Sequence, residues 1–102
     1  MSARPAKLEE SEVKEGLQGL SQWSLSGGKL HREYRFGSFV EAFGFMASAA
    51  LVAESMNHHP EWSNVYQTVK IDLTTHDAGG ITENDLEMAR RFEKLAGQRA
   101  ER

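Results

Sequence analysis

Three of the chain's four histidines, His58, His59 and His76, fall in the stretch between Glu54 and Asp85. Imidazole has an ordinary pKa of about 6.5, so it can give or take a proton near neutral pH. Two imidazoles delivered from different segments can therefore act as acid and base across one substrate. Glu54 precedes His58 by four residues, which places both on one helical face if the helix runs that far. His76 ends a β-type segment and precedes Asp77-Ala78-Gly79-Gly80. Strand ends and the loops after them are common places for a rigid scaffold to aim a catalytic group.

Spacing alone leaves other readings open. Adjacent histidines are more often a solvated loop feature or a helix C-terminal pair than a site. Glu54, His58, His59 and His76 can also be read as metal ligands. The Glu-x-x-x-His spacing is common by chance, however, and no metalloprotease signature occurs. Trp62 suits either the wall of a flat heteroaromatic pocket or an amphipathic core position. Asp85 reads as a helix N-terminal acceptor and His31 as a solvated side chain. Arg90, Arg91 and Lys94 suit the macrodipole of a helix end. There is no Walker loop, dinucleotide glycine fingerprint or nucleophile elbow.

The elements that must hold these groups follow from periodicity. Lys7 to Leu20 predicts a first helix. Trp23 to Leu25 and Lys29 to Phe36 predict two strands joined at Ser26-Gly27-Gly28, where glycine supplies positive φ. On the second strand Leu30, Tyr34 and Phe36 share one face with Arg32, which can snorkel at the edge. Ser38 caps a helix from Phe39 to about Met56. That helix carries two apolar stripes, Phe39/Phe43/Met46/Ala50 and Phe45/Ala49/Val52/Met56. One stripe is expected on the sheet and the second, containing Phe45 and Val52, against another subunit. Pro60 ends the helical region. Asn64 to Thr75 reads as β, with Val65, Val69, Ile71 and Leu73 on one parity and a bend near Gln67-Thr68. Thr82, Asp85 and the Ile81/Leu86 pair start a last helix, with Ala89, Phe92 and Ala96 inward. The order α-β-β-α-β-β-α predicts an α+β protein, an antiparallel sheet covered on one face.

Composition narrows the function class. At 102 residues a single domain spanning 1–102 is expected. A net charge of −3 gives no general pull toward nucleic acid. The absence of cysteine removes disulfides and thiolate metal sites and fits a cytoplasmic setting. The longest nearly apolar run, Ala42 to Ala53, is short of the ~20 residues of a membrane helix. No secretion signal is evident in Met-Ser-Ala-Arg-Pro.

The segment Glu54-Ser-Met-Asn-His58-His59-Pro60-Glu-Trp62-Ser-Asn-Val-Tyr66, followed by His76 and Asp85, resembles the signature of pterin-4a-carbinolamine dehydratases. Glu61 to Val65 fill the gap between Pro60 and the aromatic, and Gln67 to Thr75 the gap before His76. Phe39-Val-Glu-Ala-Phe-Gly-Phe-Met46, Ile71-Asp-Leu-Thr-Thr-His76 and Gly80-Ile-Thr-Glu-Asn-Asp85 extend the similarity; residues 1–30 match loosely.

The resemblance implies a four-stranded antiparallel sheet with three helices on one face and a homodimer or homotetramer. It also implies a lyase that turns 4a-hydroxytetrahydropterin into quinonoid dihydropterin and water, without a metal or other cofactor. That substrate arises when aromatic amino-acid hydroxylases oxidise tetrahydropterin. By position, His58 and His76 are the acid–base pair, His59 holds the pterin, and Glu54 orients or charge-tunes the imidazoles. Backbone groups of His58 to Pro60 and of Thr75, His76, Asp77 and Ala78 are expected pterin contacts, with Trp62 nearby. A non-catalytic binding or assembly role, or a transcriptional coactivator role, is the alternative that the resemblance allows.

Overall fold

The computed structural model describes residues 5–97. Helix α1 (Glu10–Gly16) is followed by strands β1 (Ser24–Ser26) and β2 (Lys29–Arg35) and helix α2 (Phe39–Met56). Strands β3 (Glu61–Val65) and β4 (Thr68–Leu73), one 3₁₀ turn (His76–Ala78) and helix α3 (Glu83–Gly97) complete it. The four strands form one antiparallel sheet in the order β1-β2-β4-β3. The expected α+β fold, with its sheet and three helices, is the one observed.

The two tight turns explain the sheet. Gly27 and Gly28 both have positive φ, 60° and 78°, so β1 and β2 meet in a two-residue hairpin turn that only glycine enters without strain. A second reversal falls at Tyr66, with φ 52°, and Gln67. The expected bend is therefore a full hairpin, and its first strand starts at Glu61 rather than Asn64. The turn also corrects the expected parity. Val65 pairs with Thr68 on the outer face and is 75% exposed, whereas Val69, Ile71 and Leu73 are buried. Side-chain alternation restarts across a tight turn, so a period counted straight through it misplaces one end.

The inner face of β2 carries Leu30, Arg32 and Tyr34, which meet Leu73, Ile71 and Val69 of β4 in register. Arg32 does not reach the edge. It is 6% exposed, lies 3.9 Å over the Tyr34 ring and stands 3.6 Å from Glu93 of α3. Glu93 Oε1 also accepts from Tyr34 Oη and Trp23 Nε1, which ties α3 to the hairpin. Tyr34, Phe36, Phe45 and Phe92 form a continuous aromatic core between sheet and helices. The first helix is shorter than the expected Lys7 to Leu20. It stops at Gly16, and Gly19 turns the chain at φ 86°.

Helix α2 reverses one expectation. Ala42, Phe45, Ala49 and Ala53 are buried against the domain, while Phe39, Val40, Phe43 and Leu51 are exposed. The stripe expected at another subunit is the core stripe, because Phe45 is the residue that reaches Tyr34 and Phe36. By length and composition α2 is also apolar enough to cross a membrane, at 18 residues and a mean hydropathy of 1.4. Its Phe45 flank is nevertheless core.

Candidate active site

Two chain reversals bring the histidines together. Helix α2 ends at Asn57, whose left-handed conformation (φ 50°, ψ 43°) lets the His58 N–H close back onto the Ala53 carbonyl at 3.0 Å. Asparagine tolerates that conformation better than most residues. The helix therefore stops before His58, and Glu54 does not share a face with it as expected. Glu54 Oε1 instead meets His59 Nε2 at 3.0 Å, on the outside of the domain.

His58 turns inward. Its Nε2 lies 2.5 Å from Asp85 Oδ1, and the Asp85 side chain is fully buried. The other oxygen, Oδ2, accepts from the Thr82 backbone N–H and the Thr75 hydroxyl, both at 2.8 Å. Because Thr75 donates to Asp85, its oxygen is left to accept from the Thr82 hydroxyl, also at 2.8 Å. Thr82 Oγ1 in turn accepts from Asn84 N. Asp85 is thus a helix N-terminal acceptor, as expected, and also the group that holds His58. A buried carboxylate needs donors on both oxygens, and Asp85 has them.

His76 reaches the same region from the other side. A bridge between Thr75 and Gly80, with Thr75 N–H donating to the Gly80 carbonyl, pinches off the 3₁₀ turn His76–Ala78, and Gly79 closes it at φ 78°. His76 Nε2 lies 2.9 Å from Glu61 Oε2 on β3, and Glu61 Oε1 accepts from Lys29 Nζ at 2.6 Å. Donation from Lys29 first, and from His76 second, holds the Glu61 carboxyl below its ordinary range.

A shallow cleft of about 240 Å³ is lined by Asn57, His58, His59, Thr74, Thr75, His76 and Asp77. Of the residues singled out in the sequence, His58, His59, Thr75, His76 and Asp77 line it. Glu54 stands behind His59, and Pro60 and Ala78 flank the cleft in sequence without lining it. Trp62 faces the core side, where its ring stacks on Phe92 with centroids 6.4 Å apart. Asn57, Thr74 and Glu61 were not singled out. Glu61 carried no sequence signal, since its role depends on a register between strands. Among the described residues no group of three or more histidine, aspartate or glutamate side chains gathers as a metal site. Each of the three cleft imidazoles instead engages one carboxylate through Nε2: His58 with Asp85, His59 with Glu54, His76 with Glu61. That leaves Nδ1 of each ring for other contacts.

Comparison with known proteins bears on what such a cleft is for. The family model described as pterin 4 alpha carbinolamine dehydratase matches residues 6–95. The chain belongs to this family. A provisionally named pterin-4-alpha-carbinolamine dehydratase of Solibacter usitatus is 59% identical over 90 residues, 88% of this chain and 95% of the relative. One of Rhizobium rhizogenes is 50% identical over 97 residues, 93% and 96% of the two chains. Among solved structures, a transcriptional coactivator/pterin dehydratase from Brucella melitensis superimposes with a TM-score of 0.85 and 46% identity. It covers 89% of this chain and 99% of that one. A pterin dehydratase-like protein described as a RuBisCO assembly factor in the alpha-carboxysome gives 0.65 and 26%, covering 74% and 90%. The similar proteins thus include several described by activity and one described by assembly.

Proposed function

We propose that the chain dehydrates 4a-hydroxytetrahydropterin to quinonoid dihydropterin and water, in the recycling of tetrahydropterin, with His58 and His76 as the acid–base pair. The observation that carries this reading is one cleft walled by imidazoles from the end of α2 and the end of β4, each held by its own carboxylate. In the elimination the C4a–O bond breaks and the departing hydroxyl takes a proton from one imidazole. The proton on the neighbouring ring nitrogen passes to the other, and that N–H pair becomes the new C=N bond. Protons and electrons balance without a metal or covalent intermediate, and each positioned transfer contributes about 10²–10⁴-fold. An ionised carboxylate can only accept, so pairing through Nε2 assigns the working nitrogen as Nδ1. His59, more exposed and backed by Glu54, contacts the pterin from the rim, together with backbone groups of His58–Pro60 and Thr75–Ala78.

The test is direct. Prepared 4a-hydroxytetrahydropterin dehydrates faster with the protein than without it, and exhaustive chelation leaves that excess in place. His58→Ala combined with His76→Ala removes the excess rate while the folded spectrum persists. An unchanged rate in the double variant rejects the assignment.

A second reading is favoured by a different observation. Phe39, Val40, Phe43 and Leu51 form an exposed apolar face on α2, larger than isolated surface residues require. We propose that copies of this chain meet there as a homodimer or homotetramer, with a binding or assembly role as the alternative use of the same face. Loss of histidines would leave that binding role intact.

A further inference from the structure

Building on the acid–base reading, we propose that Glu61 is the positioning residue of His76, held in place by Lys29 across the open face of the sheet. Glu61 opens β3 and is the direct cross-strand partner of Asp72 on β4. Two carboxylates directly opposite one another repel, and such a pair is destabilising unless each has a cation or donor. Here each does. Asp72 Oδ1 meets His31 Nδ1 at 2.8 Å, and Glu61 is divided between Lys29 on one oxygen and His76 on the other.

The Lys29–Glu61 and Glu61–His76 contacts form a line from β2 to the cleft. Lys29 starts β2 just after the Gly27-Gly28 turn, so its position is set by the hairpin. Its ammonium meets Glu61 Oε1 at 2.6 Å, which fixes the carboxylate plane and turns Oε2 toward His76 at 2.9 Å. His76 itself has little else to hold it, since its side chain is 77% exposed on a three-residue turn. A solvated imidazole on such a turn samples several rotamers and both tautomers. An ionised carboxylate on Nε2 selects the tautomer with its proton on Nε2 and leaves the Nδ1 lone pair for proton transfer. His58 obtains the same selection from a buried acid, Asp85, whereas His76 obtains it from a surface acid that needs Lys29 to stay oriented. The Lys29–Glu61 pair therefore acts through His76 and touches no substrate.

The experiment reads the imidazole and the rate separately. ¹⁵N-resolved NMR of the full chain reports the His76 tautomer. Glu61→Ala shifts His76 from the Nε2–H form to a mixture and lowers kcat about tenfold with KM within about twofold. Glu61→Gln, which keeps an acceptor oxygen, restores the tautomer and recovers about half of the loss. Lys29→Met gives a smaller loss in the same direction. Glu61→Ala added to His76→Ala lowers the rate no further than His76→Ala alone. If Glu61→Ala leaves tautomer and kcat as they were while His76→Ala abolishes the rate, the positioning inference fails and the dehydratase reading stands. If His76→Ala leaves the rate unchanged, the acid–base reading itself fails, and this inference with it.

Discussion

His58 and Asp85, 27 residues apart in sequence, meet at 2.5 Å with the aspartate side chain wholly buried. This contact joins the C-terminal end of α2 to the N-terminal end of α3. Through Thr75 it also joins both to the turn that carries His76.

Asp85 is expected to matter for stability as much as for chemistry. Asp85→Ala strands three donors, the Thr82 N–H, the Thr75 hydroxyl and His58 Nε2, and each buried donor left unsatisfied costs about 1–3 kcal/mol. Asp85→Asn keeps the volume and one acceptor, and its cost is about 1–3 kcal/mol. Urea unfolding orders the three proteins as wild type, Asn, Ala. Equal midpoints for wild type and Asp85→Ala would show that His58 and Thr75 find other partners.

Tyr34 sets an alkaline limit. Burial first, and then donation to Glu93, push its phenol well above the ordinary value of 10.0. A proton held more tightly in the folded than in the unfolded chain gives stability that is complete below the ordinary phenol range. That stability is lost as pH rises beyond it. Tyr34→Phe lowers stability at neutral pH by about 1–2 kcal/mol, through loss of one bond to a carboxylate, and declines less steeply toward about pH 11. Parallel pH slopes for the two proteins would remove Tyr34 from this role.

The exposed face of α2 predicts the oligomeric state. Phe43 and Leu51 are 58% and 73% exposed and lie away from the core stripe. Phe43→Glu with Leu51→Lys converts a dimer or tetramer into a monomer by light scattering, without disturbing Phe45 or Ala49. A wild-type chain that is monomeric at micromolar concentration would remove the interface from α2.

The fold was legible where a signal was local. Gly27-Gly28, Ser38 at the start of α2 and the Thr82/Asp85 start of α3 each name their own backbone conformation. Local signals fail where the deciding contact is distant. Nothing in the α2 stripe pattern tells which stripe meets Tyr34, since both are apolar and the choice rests on the packing of Phe45 against β2. A single period run through the Tyr66 turn puts Val65 on the wrong face, because the turn resets the alternation. In the site, the histidines and Asp85 were legible as a spaced motif, whereas Glu61 was not. Its partnership with His76 and Lys29 exists only because β3, β4 and β2 lie side by side.

Past the left-handed Asn57 two neighbouring, chemically identical rings part, one sealed against a buried acid and one in solvent beside Glu54. They are therefore not spares for each other: deleting either cannot be compensated by the one beside it.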